Sequence, residues 1–167
     1  MSELKSLSAE AIPEALKKAK HYRLLNSPWQ AESICRDILR TDPDNQQVIY
    51  VLILSITDQF ESYTRTSPAY ALELASKLTD TYDFEYCRGL IYERWAIATY
   101  KRQTPGSGHV AYEQFQQAMQ HFENAENVQK DSANKEAILR WNACVRFIQQ
   151  YDLKPQTEAG VEPYFED

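Results

Sequence analysis

Glycine is scarce in this chain, with 4 residues in 167, and proline is limited to 7. An all-β protein of this length needs turn residues at short intervals, so that class is excluded and long helices fit better. Neither a G-x-x-x-x-G-K-[ST] nor a G-x-G-x-x-G segment occurs, which removes the backbone cradles that hold nucleotide phosphates. Cysteine is confined to Cys35, Cys87 and Cys144, none in a C-x-x-C arrangement. No disulfide framework or local zinc motif follows, and each cysteine is expected in packing. The residues three before His21, His109 and His121 are Lys18, Gly106 and Ala118, so the Glu-x-x-His pairs of di-iron bundles are missing. No metal and no cofactor is expected.

No apolar run approaches the roughly 20 residues that span a bilayer, since even residues 48–56 are followed at once by Thr57 and Asp58. Residues 1–5 show no basic region leading into an apolar stretch, and a reducing cytoplasm is the expected compartment. The balance of 18 Lys+Arg against 24 Asp+Glu gives a net charge of −6, with no global field to attract nucleic acid or an anionic membrane.

What is present is helical periodicity. Apolar residues between 11 and 25 recur at three- and four-residue steps, describing one buried stripe. Asn26-Ser27-Pro28 breaks that pattern, and Ser27 with Gln30 reads as a capping box that starts a second helix running to about Arg40. Asp42-Pro43-Asp44-Asn45 is a turn, with Asp44 and Gln47 as the next cap, and a third helix is expected over 45–63. Thr66-Ser67-Pro68 repeats the Ser-Pro start, and a fourth helix follows to about Thr79. A fifth spans 84–102, the Pro-Gly-Ser-Gly loop at 105–108 ends it, and a sixth takes 110–127. A seventh covers 134–151, with Ile138, Trp141, Val145 and Ile148 on the face expected to pack. The domain is therefore 1–151, followed by an acidic tail, 152–167, in which five acidic side chains face Lys154 alone.

The second helix of each pair is built to one plan. Ser27-Pro28 with Ala31, Cys35 and Ile38 matches Ser67-Pro68 with Ala71, Ala75 and Leu78 at an offset of 40 residues, and Ala118, Phe122 and Ala125 repeat the spacing. Self-similarity at this period marks a helical solenoid; the rival reading is a plain seven-helix bundle without repeat geometry, and the duplicated Ser-Pro starts favour the solenoid. Residues 12–45 resemble one 34-residue tetratricopeptide repeat, with Ala19 and Tyr22 on the first helix, Ala31 on the second and Pro43 at the closing turn. The small residues let antiparallel helices approach while Tyr22 fills the groove between them. Lys18, in place of an apolar residue, and the longer second and third units depart from the family pattern.

The resemblance implies an all-α, right-handed α-solenoid of about three helical hairpins with a C-terminal capping helix, and a concave groove lined by the first helix of each hairpin. Such a chain acts as a protein-binding adaptor, co-chaperone-like module or assembly scaffold, not as an enzyme. Candidate contact residues are Lys17, Lys20 and Arg23 on the first helix, Tyr50 on the third, Arg88, Tyr92 and Arg94 on the fifth, and Arg140, Asn142 and Arg146 on the seventh. Arginine and aromatic side chains dominate interface hot spots. The expected partner is a protein or peptide, acidic or presenting its C-terminus, and self-association is compatible with the reading. A second reading makes the chain a small regulatory protein holding a small molecule near the aromatics of the fifth helix; RNA binding and enzymatic activity are weaker readings. The acidic tail is expected to be flexible or docked: most such tails are disordered, and the sharper reading is that Pro163-Tyr164-Phe165, set among acids, folds back onto the basic groove or docks into a neighbouring molecule.

Overall fold

A computed structural model describes residues 1–62 and 67–157 of the chain. The expected docking segment Pro163-Tyr164-Phe165 lies outside them, as do Tyr63, at the end of the expected third helix, and Thr66 of the second start signal. The protein is all-helical: a 3-10 turn, Ala9–Ala11, precedes α1 (Ile12–Leu24), α2 (Pro28–Thr41), α3 (Gln46–Thr57), α4 (Pro68–Ala75), α5 (Thr81–Lys101), α6 (Ser107–Val128) and α7 (Glu136–Gln150).

The helix ends differ from expectation for local reasons. Asn26 takes the left-handed conformation (φ 57°), and the Ser27 N–H reaches the Tyr22 carbonyl at 2.9 Å while the Asn26 N–H reaches Arg23 at 3.0 Å. Ser27 thus closes α1 in a Schellman turn, and its side chain does not cap α2, so the expected capping box does not form. At α3 the cap is Asn45, whose Oδ1 accepts the Val48 N–H at 3.1 Å, and not Asp44. The turn closes one residue later than expected, because the Asn45 N–H bonds Asp42. Ser67 does cap α4, accepting the Tyr70 N–H at 3.1 Å. Asp80 accepts the Asp83 N–H at 2.9 Å and starts α5 three residues early. α3 ends at Thr57 and α4 at Ala75, where the bonds tighten to three-residue turns.

Extensive contacts join only helices adjacent or next-but-one in the chain: α1 with α2 and α3, α3 with α4 and α5, α5 with α6 and α7. α3 lies in the middle of this series and is buried on almost every side, which explains its near-continuous apolar sequence. One core cluster gathers around α1 to α4 and a second around α5 to α7.

All nine aligned positions of the internal repeat are buried: Ala31, Cys35 and Ile38 on α2; Ala71, Ala75 and Leu78 on and just after α4; Ala118, Phe122 and Ala125 on α6. Ala19 is buried and Tyr22 half-buried between them, while Pro43 is exposed and acts only as a helix stop. α5 and α6 form the most extensive pair, and Gly89 is the reason they approach closely: a Cβ there would stand 2.6 Å from the Phe122 ring.

Helix α7 corrects an expectation. Its packed side is Ala137, Cys144, Phe147 and Ile148, while Ile138 and Trp141 stay 38% and 37% exposed. Of the four residues assigned to the core face, only Ile148 belongs to it. The covered stripe is rotated from the expected one, with Phe147 meeting Phe115 of α6 at a ring separation of 4.9 Å.

A candidate protein-binding cleft

Two adjoining depressions, of about 430 and 370 Å³, share Arg23, Tyr50 and Leu54 and form one cleft. Lys20 and Arg23 come from α1, Gln46, Gln47, Tyr50 and Leu54 from α3, Tyr82, Asp83, Tyr86 and Arg94 from α5, and Glu136 and Arg140 from α7. Only Asn134, just before α7, comes from outside these four odd-numbered helices. Spacings of four residues, Tyr50 to Leu54 and Tyr82 to Tyr86, place these side chains on one helical face each.

Charge in the cleft is organised around Asp58. Its carboxylate accepts Arg23 Nε at 2.6 Å and Arg23 Nη2 at 3.3 Å, tying the end of α3 to α1. It also accepts Arg94 Nη1 at 2.6 Å, which in addition donates to Thr57 Oγ1 at 2.6 Å and the Leu54 carbonyl at 3.2 Å. Burial pushes the Arg94 guanidinium below its ordinary value, and Asp58 restores part of that. One residue earlier, Glu93 is 4% exposed on α5. Burial raises its carboxyl above the usual range, against the pull of Arg140 and Arg94. Arg140 Nη1 reaches Glu93 at 3.4 Å, and its Nε lies 3.8 Å from Glu136. Burial opposes the charge on Arg140, but Glu93, Tyr86 and Glu136 outweigh it and lift its pKa. The Tyr86 hydroxyl donates to Glu136 at 3.1 Å, and burial raises that phenol to about 12. Arg23, Arg94 and Arg140 are thus committed to holding helices together, whereas Lys20 and Gln47 are exposed on the rim of the cleft.

Of the expected contact residues, Lys20, Arg23, Tyr50, Arg94 and Arg140 converge here. The others do not. Lys17 is exposed and 3.4 Å from Glu14. Arg88 lies over the Phe84 ring at 5.4 Å. Tyr92 stacks between Trp95 and His121, at 6.0 and 5.7 Å, on the side of α5 away from the cleft. Asn142 lines a separate cavity beside Trp141, and Arg146 is exposed. The aromatics of α5 therefore divide: Tyr82 and Tyr86 go to the cleft, Phe84 packs on the first core cluster, Tyr92 and Trp95 take the opposite side, and Tyr100 meets Phe147 and Tyr151. Sequence reasoning missed Asp58, Gln46, Gln47, Leu54, Tyr82, Glu136 and Asn134; the four-residue spacings were the available signal for Leu54 and Tyr82.

His121 Nδ1 lies 2.7 Å from Glu85 Oε2, an acid–imidazole pair bridging α6 and α5. The three cysteines are buried, and burial pushes the Cys35 thiol up to about 12, far from a reactive thiolate at neutral pH. Among the described residues no group of three His, Cys, Asp or Glu side chains is placed to hold a metal, and no helix is long and apolar enough to cross a membrane. Compared with family models, curated proteins and solved structures, the chain matches none of them.

Proposed function

We propose that the chain is a tetratricopeptide-like solenoid of three hairpins, α1–α2, α3–α4 and α5–α6, closed by α7, and that it holds a segment of another protein in the cleft. The observation that carries this reading is the lining itself: four helices separated along the chain present side chains to one continuous depression, while α2, α4 and α6 contribute none. Helix pairs stacked in one direction produce that alternation, with the first helix of every pair on the inner side.

The chemistry of the cleft suits a peptide. Half-buried Tyr50 and Leu54 offer flat and apolar surface, with Tyr82 and Tyr86 buried beside them, and exposed Gln47 offers an amide that bonds backbone or side chains. Lys20 at the rim favours an acidic segment. The Gln46 amide is engaged at both ends, its Oε1 accepting the Thr79 N–H at 2.9 Å and its Nε2 donating to the Asp44 and Lys77 carbonyls, which leaves Gln47 the available amide.

Lys20→Glu/Gln47→Glu changes two exposed rim residues and leaves the helix-holding arginines untouched. Affinity purification from the native host with wild type and this double variant tests the proposal. Proteins recovered with wild type are expected to be lost or strongly depleted with the variant; equal recovery of the same proteins excludes the cleft as the binding site.

A further inference from the structure

Helix α7 carries two apolar stripes, and one is open. Ala137, Cys144, Phe147 and Ile148 are packed, whereas Ile138, Trp141 and Val145 recur at three- and four-residue steps further round the helix. Ile138 and Trp141 form one wall of a cavity of about 390 Å³ between α6 and α7, floored by Phe122 and Ala137. The opposite wall is acidic, with Glu123, Glu126 and Asn127. Lys135 Nζ takes Glu126 Oε1 at 2.6 Å, but Glu126 Oε2 is buried and has no partner among the described residues. Among the described residues no lysine or arginine lines the cavity. It is an apolar slot with the exposed Glu123 carboxylate at its edge, the surroundings that an alkyl chain ending in a cation satisfies, with Trp141 adding its ring face.

The complementary surface lies at the other end of the same molecule. α1 has no extensive contact with α5, α6 or α7, so it and α7 terminate the series of packed helices. Its outer face carries Lys17, Lys18, His21 and Leu24, all exposed, and Leu25 and Trp29 beside it are 58% and 64% exposed. One end is apolar and acidic, the other apolar and basic.

We infer that the α6–α7 cavity of one molecule receives the basic outer face of α1 of a second copy, in a head-to-tail contact. Lysine stems lie along Ile138 and Trp141, their ammonium groups meet the exposed Glu123 carboxylate, and Leu24 and Leu25 cover the open stripe of α7. A heterologous contact of this kind leaves a free end on each copy, so association continues beyond two. The contact does not involve the cleft, and its outcome is independent of the partner proposed there.

Sedimentation of the full chain across a concentration series tests this. The wild type is expected to associate reversibly past two copies, more weakly at high salt. Glu123→Lys/Asn127→Lys and Lys17→Glu/Lys18→Glu, all exposed positions, are each expected to weaken association at least about tenfold, as is Trp141→Ala, which changes no charge. An equimolar mixture of the two charge variants is expected to regain association, because the basic cavity of one now meets the acidic α1 of the other. A wild type that stays monomeric or stops at two copies, variants that associate as the wild type does, or a mixture that recovers nothing would overturn the inference.

Discussion

At Gly89 the absence of one methyl group sets how tightly α5 and α6 close. Replacing glycine by alanine inside a helix gains about 1 kcal/mol in an open position. Here the added Cβ would sit 2.6 and 2.7 Å from two atoms of the fully buried Phe122 ring, which would have to shift against its core neighbours. Overpacking of that kind costs about 1–3 kcal/mol, so Gly89→Ala is expected to lower stability, as read by denaturant unfolding. Glu93 makes a pH-dependent prediction. Its carboxyl is raised above the ordinary 4.5, burial being the first cause. The folded state therefore holds that proton more tightly than the unfolded state, and the associated stability is complete below about pH 4.5 and lost as pH rises through the folded value. Glu93→Gln keeps the neutral shape and removes the titration, so its stability relative to wild type is expected to climb as pH rises from acid toward neutral. Unfolding midpoints of both proteins across that range measure it, and a constant difference contradicts the assignment.

The helices themselves were readable because each carries apolar residues at three- and four-residue steps and ends in residues with a physical reason to end it. Ser67-Pro68 works as read, with Ser67 capping α4. Ser27-Pro28 looks the same in sequence but serves α1 instead, because Asn26 turns left-handed and draws Ser27 into closing the helix before it. Such competition between two helix ends for one residue is invisible in a linear pattern. The same holds for α7, where Ile138, Trp141 and Val145 form a genuine stripe, yet the side that packs is that of Ala137, Cys144, Phe147 and Ile148. Cys144→Lys is expected to lose about 3 kcal/mol or more, since it buries an unpaired charge, whereas Ile138→Lys is expected to stay within about 0.5 kcal/mol of wild type. Thermal unfolding of the pair checks the rotation of this helix, and the reverse ranking would restore the stripe first expected to pack.

Across the whole molecule, the alanines that recur on α2, α4 and α6 were the legible part, and all are buried between neighbouring helices. The cleft was half legible: the arginines and Tyr50 could be picked by type, but which of them face one another depends on how far each helix is turned. Arg88 and Tyr92 share a helix with Arg94 yet point away from it, and Asp58, a residue in a short turn, became the junction of α1, α3 and α5 only through folding. The cleft accordingly joins two roles, its arginines fixing the helices and its rim remaining open. Hydrogen exchange of the full chain, alone and with a protein recovered by affinity purification, tests this most directly. Added protection is predicted in α1 around Lys20, in α3 from Gln46 to Leu54 and in α5 from Tyr82 to Arg94; protection confined to α2 and α4 would contradict the account.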